Sequence, residues 1–378
     1  MENWSFLPPE LPPVLLPDTT AENWPVRRQR LVDTLLKQEY GVVPPLKTTV
    51  SARLCSEAPA FFAGAATWQQ LELTVTLAGD GVHTPQREYG SFTFPMQALL
   101  PNSAPMAGAS GHPFFVLLNF HPGPAGKYLP AEELVERGFG VVTAFYEDVS
   151  PDKENGFADP LAHMLRAAAQ DAGVPAGQLP GRIAVWAWAE SRMLDWALTQ
   201  PRLCAAQAAV AGHSRLGKTA LVCSMLDDRF AAVFSNEAGC SGDALTRGKV
   251  GEHVADITRN FTHWFCENYR RYADNEAALP FDQHWLLAAS APRLVCVGSA
   301  LNDMWSSPQS QYACCMAASP AWQLLGRRGF VHPQREAQPG DDFAAGEIGY
   351  HLRLGTHFFS RHDWNSYMNF LDGKRWHV

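Results

Sequence analysis

The spacing of hydrophobic and polar positions divides the chain near residue 110. Before this point, residues 23–39 carry leucines on one face and basic side chains on the other, which predicts a helix that Gly41 ends. Runs rich in β-forming residues follow, separated by turns that contain Gly, Asp and Pro. These runs are residues 49–54, 71–77 and 91–100. We expect them to form antiparallel strands at the edge of a sheet.

From Pro113 onwards, short apolar runs alternate with helix-forming segments, which predicts parallel strands joined by crossover helices. The predicted strands are residues 114–120, 140–145, 208–212, 230–234 and 293–299. The predicted helices are residues 130–137, 182–199 and 309–325, with another directly after Ser214. The pattern indicates an α/β fold, in which helices cover both faces of a mainly parallel sheet.

Internal repeats and low-complexity linkers are absent from the sequence, so we expect one catalytic domain at residues 48–378. Residues 1–47 would form an N-terminal appendage packed on it, made of the helix and a proline-rich arm. The arm covers residues 7–17 and contains too much proline to be helical, so we expect it to lie across the surface.

The composition narrows the function. A net charge of -8 without basic runs argues against a nucleic-acid partner, and no apolar stretch is long enough to span a membrane. The N-terminus lacks the features of a secretion signal, so we expect a cytoplasmic protein, or a secreted or periplasmic one if a leader has been removed. The eight cysteines form no C-x-x-C pair, which indicates small buried side chains in a reducing compartment. We expect no metal, no cofactor and a monomer.

A candidate nucleophile lies where the apolar run at residues 208–211 meets the next helix. Ser214 stands between Gly212 and Gly217, and small neighbours of this kind permit the strained strand-to-helix turn that exposes a catalytic serine. An ordinary turn with a capping serine would give a similar pattern. Two cations favour the catalytic alternative, because Arg215 and Lys218 lie at a helix start, where the helix dipole opposes positive charge. Their position indicates an anionic partner.

A serine nucleophile needs a base and an acid that orients the base, and α/β-hydrolases place them in the order serine, acid, histidine. Together with the elbow and the parallel sheet, this order predicts an α/β-hydrolase fold, a three-layer sandwich with helices on both faces of the sheet. Glu237 and Asp303 both end predicted strands, and we expect Glu237 to be the main acid with Asp303 as a partial substitute. His357 is the favoured base, because it lies after the final strand in a glycine-containing loop, and His351 is its rival. The loop at residues 121–126 could supply an oxyanion donor or be a plain turn.

Residues 212–218, Gly-His-Ser-Arg-Leu-Gly-Lys, resemble the Gly-Cys/His-Ser-Arg-x-Gly-Lys signature of the glucuronoyl esterases, carbohydrate esterase family 15. These enzymes cleave esters between glucuronic acid on xylan and lignin alcohols. The resemblance extends to residues 236–242, 303–308 and 351–357 and covers roughly residues 110–370. The fungal disulfides have no evident counterpart here, which fits the bacterial branch of the family.

The resemblance implies Ser214 as nucleophile, His357 as base and Glu237 as the acid of fungal members, whereas many bacterial members use an acid at the Asp303 position. It implies that Arg215 stabilises the oxyanion. The implied substrate-binding residues are Lys218, Glu252 and Trp305. The chain departs from the family pattern in the glycine-rich turn, where Ala238 and Ser241 replace the usual residues. Glu252 is matched to the family only by its position after that turn. For Trp305, packing in the core is the alternative role.

The resemblance predicts a serine esterase acting on a carbohydrate uronate ester through an acyl-enzyme. One alternative is an acetyl xylan esterase or general carboxylesterase, since a triad does not encode the acyl group. A second is a carbohydrate-binding protein that keeps the hydrolase fold without catalysis.

Overall fold

The computed structural model describes residues 10–105, 108–374 and 376, and its centre is one ten-stranded sheet. The spatial order of the strands is β1-β2-β3-β5-β4-β6-β7-β8-β10-β9. The strands are β1 (Leu46–Phe61), β2 (Ala66–Gly79), β3 (Glu88–Pro101), β4 (His112–Asn119), β5 (Gly140–Phe145), β6 (Leu203–His213), β7 (Ala232–Asn236), β8 (Leu294–Ala300), β9 (Asp342–Phe343) and β10 (Ile348–Arg353).

The pairing of the strands follows the two predicted halves. Strands β1, β2 and β3 are antiparallel at one edge, whereas β5, β4, β6, β7, β8 and β10 run parallel to one another. The two-residue strand β9 closes the other edge in antiparallel pairing with β10. The predicted α/β-hydrolase fold with a mainly parallel sheet is therefore confirmed.

Eleven α-helices within the described residues accompany the sheet. They are α1 (Trp24–Leu35), α2 (Ala131–Glu136), α3 (Tyr146–Val149), α4 (Pro160–Asp171), α5 (Arg182–Ala197), α6 (Arg215–Leu226), α7 (Val254–Asn260), α8 (His284–Ala288), α9 (Pro308–Ala318), α10 (Pro320–Leu324) and α11 (Arg361–Gly373). The structure divides the predicted helix at residues 309–325 into α9 and α10, because Pro320 cannot continue the hydrogen-bond ladder. The sequence analysis also missed α4, which the side chain of Asp159 caps by accepting from the Ala162 amide.

Two hydrophobic layers hold the helices against the sheet, and β4 shows how they separate. Phe114, Val116 and Leu118 belong to one buried cluster, with α1, α5 and α8, while Phe115 and Leu117 belong to the other, with α2 and α11. Since side chains alternate along a strand, the two clusters lie on opposite faces. All eight residues of β4 are buried, as expected for a central strand of a three-layer sandwich.

The predicted N-terminal helix is present as α1, and one π-helical turn, Leu36–Tyr40, extends it. Arg28 ties α1 to the body by donating to the carbonyl oxygens of Ala289 and Met225. The arm lies partly outside the described residues; in the part described, Val14 is buried, and the carbonyl oxygen of Pro12 accepts from the Trp285 indole. This segment is therefore anchored in the core and does not only lie across the surface. The division at residues 47 and 48 stays a prediction.

No helix among the described residues is long and apolar enough to cross a membrane.

Candidate active site

The predicted nucleophile lies on a strained turn between β6 and α6. Ser214 has φ 58° and ψ -126°, a backbone conformation that is rare for any residue other than glycine. Gly212 permits the turn, because a Cβ at this position would lie 2.0 Å from the carbonyl oxygen of Leu216. The Ser214 amide donates to the carbonyl oxygen of Asn236 on β7, at 2.9 Å, which fixes the turn to the neighbouring strand. This geometry is that of a nucleophile elbow, not of an ordinary capped turn, and no side-chain cap bond is present at Ser214.

One cavity of about 310 Å³ is lined by the eight residues that the sequence analysis favoured for the site. They are Ser214, Arg215, Lys218, Glu237, Glu252, Asp303, Trp305 and His357. Three of the strands that lead to it, β6, β7 and β8, are parallel neighbours, so the residues that follow them meet at one edge of the sheet. The cavity lies where ligands of open α/β sheets bind.

His357 faces two carboxylates. Its Nδ1 lies 2.7 Å from Oδ2 of Asp303 and 3.2 Å from Oε2 of Glu237. Burial lowers the pKa of His357, but hydrogen bonds and the charges of both carboxylates outweigh burial and raise it to about 9. The same contacts hold the pKa of Asp303 below its usual range, against the opposing effect of burial. The imidazole is thereby oriented by an ionised acid.

Glu237 is occupied by other donors. Its Oε1 accepts from the Arg353 guanidinium at 2.6 Å, and its Oε2 accepts from the Phe358 amide at 2.9 Å. Burial raises the pKa of Glu237 to about 7, although His357 and Arg353 act in the opposite direction. The geometry therefore favours Asp303 as the main orienting acid, the reverse of the ranking expected from the sequence. Glu237 fixes the loop that carries His357.

The rival base, His351, lies on β10 and is fully buried, with Nε2 2.8 Å from Oδ1 of Asp363. It does not line the cavity. Residues 121–126 do not line the cavity either, and their backbone forms bends and a bridge between Gly126 and Leu129. The structure thus agrees with the plain-turn alternative for this loop.

The two cations next to Ser214 have different surroundings. Arg215 donates through Nη1 to Oδ2 of Asp152, so its anionic partner includes a carboxylate of the protein itself. Lys218 is buried and donates through Nζ to the carbonyl oxygen of Ala238. Burial lowers the pKa of Lys218, and the negative charge of Glu252 opposes this shift.

Glu252 and Trp305 line the cavity from two different loops, and Glu252 is buried. The Glu252 amide donates to the carbonyl oxygen of Trp305 at 3.0 Å, which joins the two loops that carry these side chains. Gly251 makes this approach possible, since a Cβ there would lie 2.3 Å from the carbonyl oxygen of Met304. Trp305 is 54% exposed, so it lies at the rim and does not pack in the core.

Sequence reasoning missed His213, which precedes the nucleophile. Its ring centroid lies 4.5 Å from that of His357, and its Nδ1 lies 2.7 Å from Oδ1 of Asn236. Burial lowers the pKa of His213 to about 3, with the charge of His357 acting in the same direction. His213 is therefore a neutral ring that supports His357. Its position inside the Gly-His-Ser motif was the available signal.

Among the described residues, one group could offer a metal ion three ligands within 4.8 Å of one another: His213, Glu237 and His357. Each of the three already has a protein partner, namely Asn236, Arg353 and Asp303. The three side chains lie together because two of them contact the imidazole of His357. That the site holds no metal stays a prediction.

Comparisons with known proteins point to one family. A family model described as glucuronyl esterase of fungi matches residues 175–326. Carbohydrate esterase MZ0003, from an unknown prokaryotic organism, is 37% identical over 251 residues, which are 66% of this chain and 56% of that protein. The 4-O-methyl-glucuronoyl methylesterase of Podospora anserina is 27% identical over 323 residues, which are 82% of this chain and 58% of that enzyme. The chain thus spans less than two thirds of the length of these two relatives.

Solved structures match almost the whole chain. A promiscuous CE15 esterase from a marine bacterial metagenome has a TM-score of 0.81 at 28% identity and covers 98% of this chain and 97% of its own. The glucuronoyl esterase from Solibacter usitatus has a TM-score of 0.79 at 26% identity, with coverage of 97% and 98%. The similarity therefore includes the antiparallel edge strands and the N-terminal helix as well as the parallel core.

Proposed function

Since the chain belongs to carbohydrate esterase family 15, the glucuronoyl esterases, we propose that it is a serine esterase that hydrolyses esters of glucuronic acid or its 4-O-methyl derivative. The observation that carries the proposal is the cavity in which Ser214, His357 and an ionised acid lie beside Arg215 and a set of sugar-binding candidates. Support for the uronate comes from the Podospora anserina relative, whose name is that of a 4-O-methyl-glucuronoyl methylesterase.

The first half of the reaction forms the acyl-enzyme. His357 takes the proton of the Ser214 hydroxyl while Oγ attacks the ester carbon, and the carbonyl oxygen becomes an oxyanion. Asp303, hydrogen-bonded to Nδ1, keeps Nε2 of His357 as the proton acceptor and stabilises the imidazolium. The tetrahedral intermediate then collapses, and the alcohol leaves with the proton from His357.

The second half of the reaction, deacylation, regenerates the free enzyme. Water attacks the acyl carbon, gives its proton to His357, and releases the uronic acid as Ser214 recovers its proton. Arg215 stabilises the negative oxygen in both halves, because its guanidinium supplies N–H donors where the charge develops. Lys218 and Glu252 bind sugar hydroxyls already present in the ground state, and Trp305 at the rim covers a sugar face.

The direct test compares benzyl or methyl glucuronate with acetylated xylose as substrates of the purified protein, and 4-nitrophenyl acetate serves as a general esterase substrate. We expect kcat/KM for the uronate ester to exceed that for the acetate ester of a sugar, and Ser214→Ala to abolish both activities. Hydrolysis of uronate esters that is no faster than that of acetylated xylose would contradict the proposal.

The second candidate function is that of a broad carboxylesterase. One observation favours it: the 28%-identical metagenomic enzyme with a TM-score of 0.81 is described as promiscuous. Equal kcat/KM values for uronate, acetyl and aryl esters would support this candidate, whereas a binding protein without catalysis would turn over none of them. That the protein acts as a monomer stays a prediction.

A further inference from the structure

Asp152 lies next to the candidate active site, in contact with Arg215, and takes no part in the reaction steps of Ser214, His357 and Asp303. Its carboxylate accepts three hydrogen bonds from side chains of two other segments. Oδ1 accepts from His263 Nε2 at 2.8 Å and from Trp264 Nε1 at 2.6 Å, and Oδ2 accepts from Arg215 Nη1. The side chain of Asp152 is only 4% exposed, and so much hydrogen bonding in a buried position implies a fixed carboxylate.

Asp152 is held ionised by these contacts. Burial raises its pKa, but the hydrogen bond from His263, the charge of Arg215 and the Trp264 hydrogen bond together lower the pKa below its usual range. A buried carboxylate in this state needs a cation, and Arg215 is the cation that it contacts at the cavity.

The guanidinium of Arg215 is enclosed by aromatic rings. Its Cζ lies 4.7 Å from the ring centroid of Trp264, 5.5 Å from that of Phe261 and 5.8 Å from that of Phe120. Nη1 is bound by Asp152, whereas Nε is buried and has no hydrogen-bond partner among the described residues. The side chain is therefore held at one edge by Asp152, while Arg215 lines the same cavity as Ser214.

We propose that Asp152 is a positioning residue that fixes Arg215 in this aromatic slot, so that the guanidinium N–H groups not bound by Asp152 meet the oxyanion formed at Ser214. The inference rests on the proposed function in one respect, namely that an ester carbonyl becomes an oxyanion there. A free arginine side chain populates many rotamers. Asp152 removes that freedom on folding, so the guanidinium needs no ordering during the reaction.

An opposite electrostatic effect gives the proposal a clear competitor. Asp152 adds a negative charge next to Arg215. If Arg215 acted through its net charge alone, kcat would rise when Asp152 is replaced by a neutral residue. If Arg215 acts as a positioned donor, kcat would fall. The kcat of a neutral variant of similar shape therefore separates the two.

The central experiment uses Asp152→Asn in the full chain, with whichever ester the wild type cleaves, methyl glucuronate or 4-nitrophenyl acetate. We expect kcat to fall by about 10-fold or more and KM to change by less than about 2-fold, because the oxyanion exists only in the transition state. In an Arg215→Ala background, the same substitution should change kcat by less than about 2-fold, since the residue that Asp152 positions is gone.

The matched control is Asp159→Asn, in a neighbouring stretch of chain. Asp159 pairs with the buried Arg182 and accepts from the Ser150 hydroxyl at 2.6 Å, and neither Asp159 nor Arg182 lines the cavity. We expect this variant to unfold at a lower temperature and to keep kcat within about 2-fold of wild type. Trp264→Phe is a milder probe if Asp152→Asn fails to fold, since it removes one donor to Asp152 and should lower kcat less.

A crystal structure of Asp152→Asn supplies a readout that needs no substrate, and we expect the Arg215 guanidinium to have left the aromatic slot. An unmoved guanidinium, an unchanged or increased kcat, or equal losses in wild-type and Arg215→Ala backgrounds would each overturn the proposal. Failure of the proposed function looks different: wild type would then prefer aryl acetate over methyl glucuronate, while the Asp152→Asn effects persisted on the acetate.

Discussion

Nδ1 of His357 and Oδ2 of Asp303 lie 2.7 Å apart, although 54 positions separate them in the chain. Glu237 approaches the same nitrogen less closely, at 3.2 Å, and its oxygens also serve Arg353 and the Phe358 amide. We expect Asp303→Asn to lower kcat by on the order of 10³ and Glu237→Gln by about 10-fold, since an amide in the orienting position favours the wrong histidine tautomer. Steady-state kinetics of both single variants and the double variant measure this ranking.

If Glu237→Gln abolished activity while Asp303→Asn retained it, Glu237 would be the orienting acid, as the sequence alone suggested. A double variant no worse than Asp303→Asn would show that Glu237 does not replace Asp303 as a second acid.

Ser214→Ala and His357→Ala test the nucleophile and the base. Each should lower kcat by about 10⁴ to 10⁶ and leave the far-UV circular dichroism unchanged, because triad members act as a unit. His83→Ala is a suitable control: its imidazole is also exposed and lies 2.6 Å from a carboxylate, that of Asp80, but belongs to a distant turn. Near-normal turnover by either variant would contradict the assignment of Ser214 as nucleophile and His357 as base.

The pH dependence of kcat/KM follows from the state of His357. Its imidazole must be neutral to accept the serine proton, and the two carboxylates raise its pKa to about 9. We therefore expect kcat/KM to rise with pH and to reach half its maximum well above 6.5, the ordinary pKa of histidine. Asp303→Asn removes one of the carboxylates and should move this midpoint to lower pH. If the wild-type midpoint lay near pH 6 and Asp303→Asn did not shift it, the carboxylates would not be raising the pKa of His357.

Arg215 and Lys218 should affect different kinetic constants. Arg215→Ala should lower kcat by about 10² or more, because the charge that it stabilises exists only in the transition state. Lys218→Ala should mainly raise KM for glucuronate esters, since sugar hydroxyls are present in the ground state. The preference for glucuronate over acetate esters should narrow in the Lys218 variant and persist in the Arg215 variant. An unchanged preference would mean that Lys218 does not contact the sugar.

Glu39 makes stability depend on pH. It is fully buried, and Gln283 Nε2 donates to its two oxygens at 3.0 and 3.2 Å. Burial raises its pKa to about 8, so between about pH 4.3, the unfolded value, and pH 8 the folded state binds more protons than the unfolded state. The contribution of Glu39 to the free energy of unfolding therefore falls as pH rises through this window.

Glu39→Gln should flatten that dependence and stabilise the protein at pH 8 by at most a few kcal/mol. Urea unfolding at pH 5, 6.5 and 8 measures the effect, with the exposed Glu132→Gln as control. Parallel curves for wild type and Glu39→Gln would show that Glu39 does not titrate in this range.

Local patterns were enough to predict much of the fold. The parallel strands are continuous apolar runs, and the elbow is fixed by two glycines around Ser214, so neighbouring residues carry the information. The edge strands were predicted too short: the first was expected at residues 49–54, whereas β1 covers Leu46–Phe61. Much of β1 faces solvent, and its exposed polar residues weaken the alternation that marks a strand.

The site was predictable only where its residues follow strands or belong to a motif. Asp152 is neither, and its partners Arg215 and His263 lie 63 and 111 positions away. Contacts at such separations depend on how the completed sheet places its loops, which no local pattern encodes. The same reason explains why the sequence did not indicate the contact between Glu237 and Arg353, which lies on a strand 116 positions further on.

The slot around Arg215 also has a consequence for how the reaction responds to temperature. A guanidinium already confined by Asp152 and three rings loses little further freedom when the tetrahedral intermediate forms, so the activation entropy of acylation contains no cost for ordering it. When Asp152→Asn releases the Arg215 side chain, the entropy cost of ordering it falls on the chemical step. An Eyring plot of Asp152→Asn should then show a more negative activation entropy than that of wild type, with a smaller change in activation enthalpy.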